Sequence, residues 1–200
     1  MKKTLFIALI ALASILTYSS LQAQQHNSAL TYSMGFGTGD LGDFIGKVSF
    51  RGVTFDYRRM VQDNVGVGLT FGWNAFYEGT DGTYTLDNQS LNGKQYRYSN
   101  NFPMLVNGAY FLKPGASVNP FFGLGIGTMY TLRNTDMNLY TLEQDAWNFL
   151  LQPEFGVQIM ANDVTTFHIS AKYNHGFAAG SELDNAQSYF TLNVGLAFIK

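Results

Sequence analysis

The chain has 200 residues, 46% of them hydrophobic and 16% aromatic but only 13% charged, which fits one ordinary domain. Twelve basic residues against fourteen acidic ones leave a net charge of −2, which argues against a basic nucleic-acid surface. Without cysteine there is no disulfide framework, thiol nucleophile or thiolate zinc site, and 21 Gly with 4 Pro is neither collagenous nor disordered.

Lys2 and Lys3 precede an apolar run from Leu5 to Leu16 and a polar stretch ending Leu21-Gln22-Ala23. This is the charged, apolar and small-residue order of a secretory signal peptide. The run is about a dozen residues, short of the roughly 20 that a spanning helix needs. A short buried helix is the plainer alternative. The pattern predicts a signal peptide over 1–23, cleaved after Ala23, and a single domain over 24–200.

Beyond Ala23 the apolar period is two rather than 3.6. Weaker strands are predicted near 29–38, 48–60 and 97–112. In the third strand Val65, Val67, Leu69, Phe71, Trp73, Ala75 and Tyr77 share one face, with Gly66, Gly68, Thr70, Gly72 and Asn74 opposite. The fifth alternates Phe122, Leu124 and Ile126 with Gly123, Gly125 and Gly127. The sixth sets Trp147, Phe149, Leu151 and Phe155 against Asn148, Gln152 and Glu154. The seventh sets Phe167, Ile169, Ala171 and Tyr173 against His168, Ser170 and Lys172, and the last alternates Phe190 through Phe198 with Thr191, Asn193 and Gly195.

Eight such strands are joined by connections of alternating length. Short ones fall at 61–64, 113–117 and 161–164; long ones fall near 39–46, 78–96, 132–146 and 177–187. Short turns on one side and long loops on the other are the habit of outer-membrane barrels, with both termini periplasmic. A soluble eight-stranded barrel would instead need bulky apolar residues inside. Here the bulky face is continuous and the other is small and polar, so the bulky face is assigned to lipid. Trp73, Tyr77, Tyr130, Trp147 and Tyr173 then form an external aromatic girdle, with Tyr32, Tyr57, Tyr110 and Phe198 at the other interface.

Two places break the pattern. The phase slips around Arg51-Gly52, predicting a bulge or an extension of the strand, and Pro103 and Pro153 sit inside strands where bulges would repair the missing donors. The long connections hold Asp40, Asp43, Glu78, Asp81, Asp87, Asp136, Glu143, Asp145, Glu182 and Asp184 against Lys94, Arg97 and Arg133. Such a rim is a solvated surface, a place for divalent cations bridging lipopolysaccharide phosphates, or an attractor for a cationic partner. Its spacing matches no calcium loop.

The phase puts Asp56, Arg58, Glu154, His168 and Lys172 in the lumen, with Glu154 able to pair with Lys172 or His168. Isolated buried charges cost several kcal/mol, so a paired network is expected. That network reads as a plug, or more sharply as a gate. The glycine clusters lack the helix and Lys-Ser/Thr of a phosphate loop, and three scattered histidines offer no metal site. No cofactor or catalytic residue is expected.

Together the signal peptide, the run Pro120-Phe121-Phe122-Gly123-Leu124-Gly125-Ile126-Gly127 and the closing strand Tyr189–Phe198 resemble small bacterial outer-membrane barrels of the OmpA-transmembrane, OmpX and OmpW group. The closing strand is similar to the signal read by barrel-insertion machinery, although Ile199 and Lys200 follow the final aromatic. The resemblance implies an all-β, eight-stranded antiparallel up-and-down barrel in the bacterial outer membrane. The protein is expected to be monomeric and non-enzymatic, to contact lipopolysaccharide, and to act in envelope integrity or surface interaction through its loops. A narrow gated channel or a route for small hydrophobic compounds is the second reading. The third is a lipid-modifying enzyme, because His168-Ile169-Ser170 with Glu182 downstream resembles the His-x-Ser of lipid A deacylase barrels. Against it, Ala171 stands where that motif has asparagine, and both polar residues face the lumen.

Overall fold

Period-two alternation with β-branched and aromatic residues on one side commits the chain to extended structure. The computed structural model describes residues 25–86, 89–137, 140–178, 183 and 185–200. The strands are β1 (His26–Thr38), β2 (Gly52–Gln62), β3 (Val65–Leu86), β4 (Gln89–Phe111), β5 (Val118–Met137), β6 (Tyr140–Met160), β7 (Thr165–Gly176) and β8 (Gln187–Ile199). They form one closed antiparallel barrel in chain order, sealed by β1 against β8 from Asn27↔Ile199 to Thr38↔Ser188. Closure leaves no free edge around the wall. The predicted signal peptide, Asp87, Glu182 and Asp184 lie outside the described residues.

Most apolar side chains of the strands point away from the barrel axis, while a smaller set turns inward. Val106 is 62% exposed, Leu30 55% and Phe122 51%, within a belt that runs around all eight strands. An apolar belt of that extent has no place in water and suits a lipid surface. No described helix is long and apolar enough to cross a membrane, so crossing belongs to the strands. Inward positions stay small where strands approach closely: a Cβ at Gly68 or Gly127 would strike the carbonyl of Tyr57 or Met104 on the neighbouring strand.

Three expectations are corrected, and one left between two readings is decided. The segments 78–96 and 132–146 are not open loops: β3 and β4 pair to Leu86↔Gln89, and β5 and β6 pair to Met137↔Tyr140. Above the lipid belt neither face of a hairpin must be apolar, so the alternation stops while the pairing continues. Pro103 and Pro153 are not bulges either. The β3–β4 ladder skips from Phe71↔Met104 to Asn74↔Asn101, and β6–β7 from Leu151↔His175 to Glu154↔Lys172, each in unchanged register. Each proline turns its donorless nitrogen into such a gap, while Pro103↔Met129 and Leu124↔Pro153 still pair on the other side.

The slip at Arg51-Gly52 is an irregular extension. Ser49 bridges to Gly35, Ala75 donates to the Arg51 carbonyl at 2.8 Å, and β2 begins at Gly52. The one shift in the β2–β3 register lies instead between Met60 and Gln62. Finally, Tyr32 does not lie with the far-side aromatics: it pairs with Val53, near the start of β2, and its hydroxyl donates to the Phe50 carbonyl.

Candidate functional site in the barrel lumen

The barrel has a terminus end, carrying His26, Lys200 and three short turns, and a hairpin end. Between them the lumen is filled at three levels. Nearest the terminus end, Phe111 and Phe121 pack with Ala109 and Met60, their rings 5.3 Å apart. Gly156 makes room for Phe121, since a Cβ there would lie 2.6 Å from the ring.

Above this sits a charged layer drawn from β2, β6 and β7. Asp56, Arg58, Glu154, His168 and Lys172 are all buried. Glu154 and Lys172 are register partners, yet their closest approach is 3.7 Å. The shorter pairs reach across the lumen, with Arg58 to Glu154 at 2.5 Å and Lys172 to Asp56 at 2.7 Å. Arg58 also lies 3.5 Å from Asp56, and His168 Nε2 lies 3.7 Å from Glu154. Thr70 donates to Asp56 at 2.6 Å, Asn107 donates to Thr70 at 2.6 Å, and Arg58 Nε donates to Asn107 at 3.2 Å. The guanidinium rests 5.3 Å from the centre of the Phe121 ring.

Two carboxylates face two cations, Arg58 and Lys172. Asp56, Glu154 and His168 do offer ligand atoms within 4.8 Å of one another. A divalent ion there would face Arg58 and Lys172, which already neutralise both carboxylates. The arrangement is a cross-barrel ion-pair lock.

The third level is apolar and was not read from the sequence. Phe76, Leu105, Met129, Leu150 and Tyr189 form a buried cluster under the hairpin end. It is covered by a short helix in the β1–β2 connection, α1 (Asp40–Phe44), whose Leu41 and the following Ile45 are 0% exposed. Four-residue spacing puts both on one side of the turn. That spacing, and the placement of Phe76, Met129 and Leu150 on the otherwise polar faces of β3, β5 and β6, was the available signal.

Polar ties hold α1 down. Phe44 lies beneath two guanidinium groups, Arg133 at 4.6 Å and Arg97 at 5.3 Å from its ring centre, and its carbonyl accepts from Arg97 at 3.0 Å. Asp40 receives Arg133 at 2.8 Å, Gln187 at 3.2 Å and Asn185 at 3.1 Å. Partial burial alone would raise the Asp40 carboxyl. The bond from Gln187, the Arg133 charge and the bond from Asn185 outweigh it and hold the group below the usual carboxylate range.

The predicted girdle aromatics lie on the outer surface. Trp73, Tyr77 and Trp147 are 40%, 36% and 57% exposed, while Tyr130 and Tyr173 are half-buried against Trp147 and Phe190 at 5.0 and 4.5 Å. Ser170 is buried in the lumen and makes no bond to His168, whose Nδ1 faces the Gln158 amide at 3.3 Å.

The family model described as "Outer membrane protein beta-barrel domain" matches residues 7–198. No curated protein sequence matches the chain. Among solved structures the barrel is similar to the outer membrane protein OprG of Pseudomonas aeruginosa, at 17% identity and a TM-score of 0.57, over 90% of this chain and 97% of that one. It is similar to Ail, the attachment invasion locus protein of Yersinia pestis, solved with the heparin analogue sucrose octasulfate, at 15% identity and a TM-score of 0.55 over 90% and 100% of the two chains. Neisserial surface protein A follows at 9% identity and a TM-score of 0.51, over 90% and 99%. At these identities the likeness is one of fold.

Proposed function

The chain belongs to the outer membrane protein beta-barrel domain family, and we propose that it is a sealed, non-enzymatic barrel working through its external surface, in envelope integrity or surface interaction. The observation that carries this reading is the three-level filling of the lumen, with Leu41 and Ile45 closed over the apolar cluster. An eight-stranded barrel is just wide enough for its own side chains to fill it. A conducting path would have to break the charged lock and lift α1. In the orientation that follows from the short turns, the termini face the periplasm and the hairpin end faces outward.

The acyl-hydrolase alternative is disfavoured by geometry. Ser170 is 2% exposed and His168 0%, both facing the lumen and not lipid, so an acyl ester has no approach. In a strain lacking the protein, uptake of a fluorescent hydrophobic dye should rise, and wild type and Ser170→Ala should both restore the barrier with lipid A mass unchanged. Altered lipid A that only the serine form corrects would overturn the non-enzymatic reading. Orientation is checked in the cysteine-free chain by two exposed positions. An impermeant maleimide should label Glu143→Cys on intact cells, and Ser117→Cys only after permeabilisation.

A further inference from the structure

On the hairpin side of the lipid belt, three tyrosines share the outward face of β3 and β4. Tyr77 and Tyr98 are register partners with rings 5.0 Å apart, and Tyr96 lies nearly parallel to Tyr77 at 6.2 Å and 13°. The register partner of Tyr96 is Gly79, where a Cβ would sit 3.3 Å from the Tyr96 ring and 3.5 Å from the Tyr77 hydroxyl. Glycine therefore leaves the side of Tyr96 that faces it open. Arg51 stands 5.6 Å from the centre of the Tyr77 ring. On β5, Asn134 lies opposite Tyr98 and Asp136 opposite Tyr96.

None of these rings serves the lumen, because all point away from it. The patch is continuous with the lipid-contacting belt. The row Phe102, Tyr130 and Trp147 lies just toward the membrane, with ring separations of 6.3 and 5.0 Å, and Trp73 on β3 donates to Asn100 at 3.2 Å. Four residues separate Trp73 from Tyr77, roughly 13 Å of strand and about 10 Å along the membrane normal after tilt. Interfacial aromatic rings sit at the level of the headgroups, so a position that far beyond them faces the sugars that the headgroups carry. A pyranose ring has a CH-rich face that suits the electron-rich face of tyrosine, and a rim of hydroxyls that suits amide, carboxylate and guanidinium groups.

We propose that Tyr77, Tyr96 and Tyr98, rimmed by Arg51, Asn134 and Asp136, form a stacking platform for the core sugars of outer-leaflet lipopolysaccharide. The proposal rests on the outward orientation of the hairpin end given above, and it assigns the surface interaction to a named face.

The test compares binding of the refolded protein to lipopolysaccharide with a complete core and to lipid A lacking core sugars. Wild type should prefer the complete core by about tenfold, and Tyr96→Ala/Tyr98→Ala should lose that preference while keeping its affinity for lipid A. Heat-shifted migration on gels confirms folding, and Tyr98→Phe, which keeps the ring, should retain most of the preference. No core preference in wild type, or an unchanged preference in the double variant, would overturn the platform. Tighter binding of released core oligosaccharide than of the intact lipid would overturn its assignment to the outer leaflet. Labelling of Glu143→Cys separates the two readings. Core selectivity without surface labelling overturns the orientation and with it lipopolysaccharide as the partner; surface labelling without selectivity overturns the platform alone.

Discussion

The charged layer and the apolar cluster fill the same lumen by opposite means. In the first, Arg58, Lys172, Asp56 and Glu154 hold one another in fixed pairs, and each side chain is tolerable only while its partners stay. In the second, Phe76, Leu105, Met129, Leu150 and Tyr189 pack without directional demands under a helix that is tied from above. The difference teaches how a narrow barrel is filled. Charges give the midsection its specificity, while volume packs the mouth.

Removing one member of the lock should have the largest effect. Arg58→Met leaves Glu154 buried without its 2.5 Å partner, and a loss of about 3–5 kcal/mol is expected in urea unfolding of the folded barrel. The double variant Arg58→Met/Glu154→Gln should recover much of that loss, because the Asp56–Lys172 pair at 2.7 Å remains balanced. If the double variant is as damaged as the single one, volume rather than charge dominates the midsection and the contrast fails.

Next in size is Leu150→Ala in the apolar cluster, where a fully buried side chain is truncated under α1. A loss of roughly 2–4 kcal/mol is expected, with Arg58–Glu154 geometry undisturbed in a crystal structure of the variant. A displaced lock would show that the two levels are one unit.

The smallest effect belongs to the tie above the helix. Asp40→Asn keeps a polar side chain but loses the charge facing Arg133 at 2.8 Å, and a cost of about 1 kcal/mol is expected for this pair, whose carboxylate is 31% exposed. Its pH dependence has a definite sign. The carboxyl is held below its ordinary value of 3.8, so its contribution is complete above that pH and is lost as pH falls through the lower folded value. Amide exchange at Asp43 and Ile45, which bond to Gly39 and Leu41 at 2.9 and 2.8 Å, should therefore be flat from pH 7 to 5 after correction for intrinsic rates, and accelerate only below about 4. Acceleration near pH 6 would place the tie elsewhere.

The sequence reading was strongest where one physical demand acts on every second residue. Lipid contact asks for Phe122, Leu124 and Ile126 on one face of β5 and close strand approach asks for glycine on the other, so strands and facing are legible. The same phase places Asp56, Arg58, Glu154, His168 and Lys172 inward, but strand adjacency points Glu154 at Lys172, whereas its shortest pair is Arg58 across the lumen. Distance across a barrel is set by closure and stagger, which no local window contains. The hairpin extensions escaped because Glu78–Tyr96 is free of the lipid constraint and loses its alternation. Helix α1 escaped because five residues carry too little periodicity to stand out from a loop.

Sealing of the lumen is tested most directly by conductance of the refolded protein in planar bilayers, with the heat-shifted gel band as proof of folding. The folded wild type should be electrically silent, and single substitutions in the apolar cluster should leave it so while the charged layer stands. Discrete, reproducible channels from folded wild type, altered by Glu154→Gln or Lys172→Met, would contradict the sealed barrel and turn the lock into a gate.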